Sequence, residues 1–118
     1  MPFPHPLPEP LVELIAERFR VIGEPLRIRI LDRLREGEAS VGELTDALSA
    51  TQQNVSKHLG VLHAAGVVSR RKDGTKVIYE IADQTVFALC ETVCGSLHQS
   101  VTELAALLGE ATQSGSAQ

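Results

Sequence analysis

The stretch TQQNVSKHLGVLHAAGVVSRRKDGTKVIYEI, residues 51–81, decides how this chain folds, because its apolar spacing changes from helical to alternating partway along. In the first half Val55, Leu59 and Leu62 stand at i, i+4 and i+7, which is one face of a helix. Thr51 is placed to cap that helix and Gly66 to end it. Gln52, Gln53, Ser56 and Lys57 fall on the outward side near its start. In the second half, Val67–Lys72 and Lys76–Ile81 are strand-like, Val77, Tyr79 and Ile81 alternate, and Asp73-Gly74 suits a tight hairpin turn. The expectation is a helix followed by a hairpin with a basic tip.

Upstream, Ser40 and Glu43 form an S-x-x-E capping box that opens a short helix, with Val41, Leu44 and Leu48 turned inward and a turn at Ser49 and Ala50. The helix before it starts at Pro25, a residue suited to a first helical position. It carries Leu26, Ile30, Leu31 and Leu34 on one face and arginines on the other, and Gly37 closes it. A first helix runs from Leu11 to Ile22 on Leu11, Ile15, Phe19 and Ile22, and Gly23 and Pro25 break it. Before it, Pro2, Pro4, Pro6, Pro8 and Pro10 make residues 1–10 an extended, mobile arm.

Downstream, Asp83 is placed to cap a last helix of about 25 residues. There Val86, Cys90, Val93, Leu97, Val101, Leu104 and Leu108 recur at alternating three- and four-residue steps, the pattern of a pairing seam. Residues 111–118, rich in Ser, Gly, Gln and Ala, read as a disordered tail. There is no internal repeat. Residues 11–110 thus form one mainly α domain with a β-hairpin, in the order α-α-α-α-β-β-α, dimerising through the terminal helices.

The totals agree with one domain: 118 residues, 43% hydrophobic and 22% charged. A monomer this short buries a modest share of its surface, so a leftover amphipathic helix gains by pairing with a second subunit. No run of eighteen apolar residues and no basic-then-apolar leader occurs, so the reading is a soluble, cytoplasmic chain with no membrane partner. Two cysteines four positions apart do not make a disulfide framework, and Cys90 and Cys94 read as reduced thiols. No Gly-rich phosphate loop, acid pair or nucleophile-base constellation stands at useful spacing, which argues against an enzyme.

A net charge of −4 argues against nucleic acid until it is counted by segment. Residues 51–82 hold Lys57, Arg70, Arg71, Lys72 and Lys76 against Asp73 and Glu80, a local net of +3, whereas both flanks are acidic. Two short helices, a turn and then a basic hairpin let the second helix enter a major groove while the hairpin follows the backbone. The partner is double-stranded DNA. An interaction module built on the same fold would be expected to lack the basic hairpin and the polar first turn, and this chain has both.

Val55-Ser56-Lys57-His58-Leu59, Val61-Leu62, Ala65-Gly66-Val67-Val68, Arg70-Arg71, Asp73-Gly74 and Tyr79-Glu80-Ile81 resemble the recognition helix and wing of the ArsR/SmtB family of repressors. The resemblance extends to Pro25-Leu26-Arg27-Ile28-Arg29-Ile30-Leu31 and spans roughly residues 11–108. It implies a winged helix-turn-helix dimer on a palindromic operator, with Gln52, Gln53, Ser56 and Lys57 at the DNA and Thr51 at the head of the helix. The residues agree, since Gln presents a paired donor and acceptor to adenine and Lys57 suits guanine or phosphate. Arg70, Arg71, Lys72 and Lys76 are assigned to phosphate and minor-groove contact, against the plain alternative of a solvated surface. His58 sits beside the apolar face and packs or hydrogen-bonds at the helix edge, while His63 is expected in solvent.

The same resemblance implies an inducer. Metal-sensing members carry D-x-H-x10-H-x2-[EH] on the last helix; here Asp83 matches, but Thr85, Ser96 and Gln99 replace the ligands. The other family site, Cys-x-Cys, falls on Ser40 and Gly42. What remains is Cys90, Cys94 and His98 at i, i+4 and i+8 along one side of the last helix, with His5 in the arm a weak further ligand. Three readings stay open: a soft metal ion or arsenic(III) held by the thiols, a redox or reactive-sulfur switch in which Cys90 meets its symmetry mate, or thiols that only pack the seam.

Overall fold

The computed structural model describes residues 3–112, with side chains through residue 109. Along them run α1 (Glu9–Ile22), α2 (Pro25–Leu34), β1 (Ala39–Ser40), α3 (Val41–Leu48), α4 (Gln52–Ala64), β2 (Val68–Asp73), β3 (Lys76–Ile81) and α5 (Gln84–Thr112). The chain divides into two compact units, one through Asp83 and one from Gln84.

In the first unit, α1 begins two residues before the expected Leu11. Pro10 lies in its first turn, where a missing N–H removes no helical hydrogen bond, so Glu9 and Pro10 belong to the helix rather than the arm. The start of α2 is capped by Glu24, whose Oε1 accepts from the Leu26 and Arg27 amides at 2.8 and 3.2 Å. Its Ile30, Leu31 and Leu34 meet Leu44 of α3 and Val55, Leu59 and Leu62 of α4 in a core that also takes in Val67, Val68, Ile78 and Tyr79. Full burial of each such side chain is worth about 1.5–3 kcal/mol.

Strand β1 was not expected from the sequence. Ala39 and Ser40 pair antiparallel with Tyr79 and Ile78, giving a three-stranded sheet in the order β1-β3-β2. Ser40 serves two elements. Besides pairing with β3, it caps α3: its Oγ accepts from the Glu43 amide at 3.1 Å, and its own amide donates to Glu43 Oε1 at 2.8 Å, the capping box read in the sequence. The turn out of α3 passes through Ser49 in the left-handed region, φ 53 and ψ 41.

Helix α4 ends as its sequence predicts. Gly66 adopts φ +78, its amide donates to the His63 carbonyl, and the Val67 amide donates to the Leu62 carbonyl, a Schellman closure. The hairpin turn is displaced by one residue from the expected Asp73-Gly74. Asp73 pairs with Lys76, so the loop is Gly74-Thr75, and positive φ at Gly74 (+68) followed by a non-positive Thr75 is the type II′ pattern. The expected alternation of Val77, Tyr79 and Ile81 is also altered: Ile78 and Tyr79, on opposite faces of β3, are both buried, while Val77 and Ile81 are half-buried.

The second unit is α5, a single helix of 29 residues that includes Ala111 and Thr112. The rest of the expected tail, and Met1 and Pro2 of the arm, lie outside the described residues. Among the described residues no helix is long and apolar enough to cross a membrane.

Candidate nucleic-acid interface

Helix α4 is two-faced. Val55, His58, Leu59 and Leu62 are buried, whereas Gln52, Gln53, Ser56 and Lys57 are exposed, as the spacing requires. Asn54 and Gly60 share the exposed side and were not singled out from the sequence. Gly60 continues the Gln53, Ser56 stripe at helical spacing, and a side chain there would meet nothing within 4 Å, so the backbone itself is open to a close approach. Thr51 is exposed and its Oγ1 accepts from the Asn54 amide at 3.1 Å; the hydroxyl hydrogen is left to donate to a phosphate.

In the wing, Arg70, Lys72 and Lys76 are exposed, with Arg70 opposite Tyr79, Lys72 opposite Val77 and Lys76 opposite Asp73. Arg71 points to the other face of β2 from Arg70 and Lys72. It is committed to Glu38 through two charge-assisted hydrogen bonds, Nη1 to Oε1 at 2.7 Å and Nη2 to Oε2 at 2.9 Å. The guanidinium holds the Glu38 carboxyl below the usual carboxylate range, and the carboxylate in turn raises Arg71. Arg71 therefore ties the outer strand of the wing to the segment before β1, with half of its side chain still exposed. The spacing gives no hint of this, since Glu38 is 33 residues away.

A cleft of about 470 Å³ joins the two candidate surfaces: Gln52 from α4 and Lys76 with Thr75 from the wing tip line it, together with Glu43 and Asp46 of α3. Glu43 is held below its ordinary range first by the Ser40 amide and hydroxyl, with Lys76 and Arg33 adding to the effect. Behind α4, Arg27 Nε donates to His58 Nδ1 at 3.0 Å and Arg27 Nη1 donates to the Val21 carbonyl at 2.9 Å. Arg27, expected on the outer face of α2 with the other arginines, thus turns inward. His63, expected in solvent, is half-buried at the end of α4.

Cys90, Cys94 and His98 all lie on α5, the first half-buried and the other two exposed, and among the described residues neither cysteine is in a disulfide. Among the described residues the single chain brings no three His, Cys, Asp or Glu side chains together as a metal-holding group.

Comparison with known proteins places this architecture. The helix-turn-helix domain family matches residues 22–71. An HTH-type transcriptional regulator of Mycobacterium tuberculosis, Rv0081, is 40% identical over 110 residues, 92% of this chain and 96% of its own. Its crystal structure superposes with a TM-score of 0.75 at 39% identity, covering 83% of this chain and 99% of that one. The HTH-type transcriptional repressor SmtB of the same organism is 43% identical over 81 residues, 69% of this chain and 60% of its own. The solution structure of the homodimeric winged helix-turn-helix DNA-binding domain of Mb0332 from Mycobacterium bovis gives a TM-score of 0.67 at 28% identity, over 80% of this chain and 91% of that one. With its helix order, its three-stranded wing and relatives that match almost end to end, this chain belongs to the ArsR/SmtB family of winged helix-turn-helix transcriptional repressors.

Proposed function

We propose that the protein represses transcription as a homodimer on an imperfectly palindromic operator, with α4 of each subunit in a major groove and the wing along the flanking backbone. The observation that carries this reading is the apolar stripe of α5. Val93, Leu97, Val101, Leu104 and Leu108 are all exposed, Leu97 at 59% and Val101 at 62%, at the spacing of a helix-pairing seam. Single soluble chains rarely expose so continuous an apolar surface. Helix α1 adds Val12, Ile15 and Phe19, likewise exposed and on one side of that helix. A second copy of the chain fits both surfaces, in line with the homodimeric M. bovis neighbour. Two recognition helices about 34–36 Å apart then meet successive turns of one DNA face.

Within α4, Gln52, Gln53, Ser56 and Lys57 read bases, and Thr51 with Arg70, Lys72 and Lys76 holds phosphates. The test is a gel shift against the DNA upstream of the gene: the wild type shifts a palindromic fragment and the Gln52→Ala, Gln53→Ala, Lys57→Ala triple variant does not. Retained operator binding by the triple variant would remove α4 from the groove.

Release follows from chemistry at Cys90 and Cys94, with His98 the next side chain along, where a soft metal ion or arsenic(III) would hold the dimer in a geometry unmatched to the operator. A second reading is favoured by the position of Cys90 on the stripe with Leu97, Val101 and Leu108: where the α5 helices pair antiparallel about an axis near residue 90, as the family resemblance implies, that thiol faces its own mate and oxidation or reactive sulfur would join the subunits. Titrating the operator-bound dimer with zinc, cadmium, arsenite, oxidant and persulfide, with mass measurement of the thiols, separates the two. A Cys90→Ser, Cys94→Ser variant that still responds to the inducer would leave both thiols as packing groups.

A further inference from the structure

His58 is the one histidine in the buried set among the described residues, at 8% exposure, and it sits in the middle of α4, the helix proposed to read DNA. Its hydrogen bonding selects the tautomer of the neutral ring. An arginine Nε always carries a hydrogen and donates, so at 3.0 Å from Arg27 Nε the Nδ1 of His58 has to be the accepting, unprotonated nitrogen. The neutral ring then carries its hydrogen on Nε2, which faces Glu24 Oε1 at 3.8 Å. Among the described contacts the charged groups facing the ring are thus Arg27 of α2 and Glu24, the cap of that helix. Elements α3 and β2 also pack against α4 and contribute the buried Leu44 and Val68 to the core, and α1 joins the cluster through its Val21 carbonyl.

A proton added to Nδ1 turns that contact into two donors pointed at each other beside a guanidinium, and the hydrogen bond is lost. The imidazolium is drawn instead to Glu24, whose Oε1 already accepts from the Leu26 and Arg27 amides as the cap of α2. Protonation therefore loosens α4 from Arg27 and disturbs the start of α2 in one event. Lys57, the adjacent residue, and Ser56 move with the backbone of α4.

We propose that His58 is a proton-linked positioning residue: neutral, it locks the DNA-reading helix to Arg27 and through it to the end of α1, and protonated, it releases that helix and weakens operator binding. This rests on α4 being the helix that reads DNA. If only the neutral form is competent, apparent operator affinity falls as protonation of the ring takes over on going from pH 7.5 to pH 5.5.

The experiment measures operator and non-specific DNA affinity of the full chain at pH 5.5, 6.5 and 7.5 and follows their ratio, which removes the general charge effect of His5, His63 and His98. The expected result is a roughly tenfold fall of the ratio for the wild type. His58→Asn keeps an acceptor where Nδ1 stood, cannot titrate, and is expected to hold the ratio flat with pH 7.5 affinity preserved. A wild-type ratio that does not change with pH, or an Asn variant with the wild-type profile, overturns the proposal. Nitrogen-15 NMR of the wild type decides independently of whether the variant folds: the Nε2–H tautomer at pH 7.5 supports the lock, and the Nδ1–H tautomer overturns it. Absence of operator binding at pH 7.5 would instead reject the reading of α4 itself.

Discussion

Arg71 and its neighbours in β2 differ in which face of a strand they occupy, and that difference gives Arg71 a carboxylate partner while it sets Arg70 and Lys72 on the face proposed for DNA. Arg70, Lys72 and Lys76 are exposed, and among the described residues no carboxylate is held against them in the way Glu38 is held against Arg71. Each phosphate contact contributes about 0.9 to the slope of log affinity against log salt concentration. We expect Arg70→Ala, Lys72→Ala and Lys76→Ala each to reduce the slope by about that amount, and Arg71→Ala to leave it nearly unchanged, in filter-binding titrations across salt. Glu38→Gln, which weakens the hold on Arg71, is expected to steepen it. A second residue-scale expectation concerns acid. Glu24, Glu38 and Glu43 all have lowered pKa values: burial of Glu24 acts upward but the Arg27 and Leu26 amides outweigh it, Arg71 lowers Glu38, and Ser40 lowers Glu43. Groups depressed on folding add stability above their ordinary carboxylate value of 4.5 and lose it as pH falls through the lowered values. Melting temperature should therefore drop below about pH 4.5, and less steeply in a Glu38→Gln, Glu43→Gln variant measured by circular dichroism.

Turns carry the geometry at the scale of the element. Ser49 holds the left-handed conformation between α3 and α4, a region that disfavours a side chain by roughly 1–2 kcal/mol, against a smaller gain from restricting the unfolded chain. Ser49→Gly is expected to stabilise the domain by about 0.5 kcal/mol with operator affinity unchanged, read from urea melts; a loss of stability would show that the serine makes a compensating bond. The helices themselves were legible from spacing and caps: Thr51 does cap α4, Ser40 and Glu43 do form the box, and Gly66 does close α4 in a positive-φ turn. The strand at Ala39 and Ser40 was not, because two residues show no alternation and Ser40 already reads as a cap. The turn at Gly74-Thr75 was missed by one residue because Asp-Gly favours one primed turn and Gly-Thr another, and strand register decides between them. Partners distant in sequence, Arg27 with His58 and Arg71 with Glu38, follow from packing that no local pattern encodes.

For the whole molecule, an acidic chain can meet a polyanion because residues 51–82 are locally basic, five Lys/Arg against Asp73 and Glu80, while acids outnumber bases in the segments on either side. The exposed stripe of α5 makes a further expectation: Leu97→Asp with Val101→Asp places charges in the seam, yielding a monomer in sedimentation and costing operator affinity roughly a hundredfold through lost bivalency, with weak non-specific binding retained. A double variant that stays dimeric would move the interface away from α5.

At the base of the wing, the Val67 carbonyl accepts both the Ala82 and the Asp83 amides, at 2.9 and 3.2 Å, so the chain leaving the hairpin is fastened to the residue from which it set out. Such a buckle isolates what lies beyond it. A change of length at Gly74 and Thr75 would leave that clasp in place and be felt first in the cleft that Thr75 and Lys76 share with Gln52 and Glu43, so the reach of the wing can be retuned from its tip while its base stays anchored.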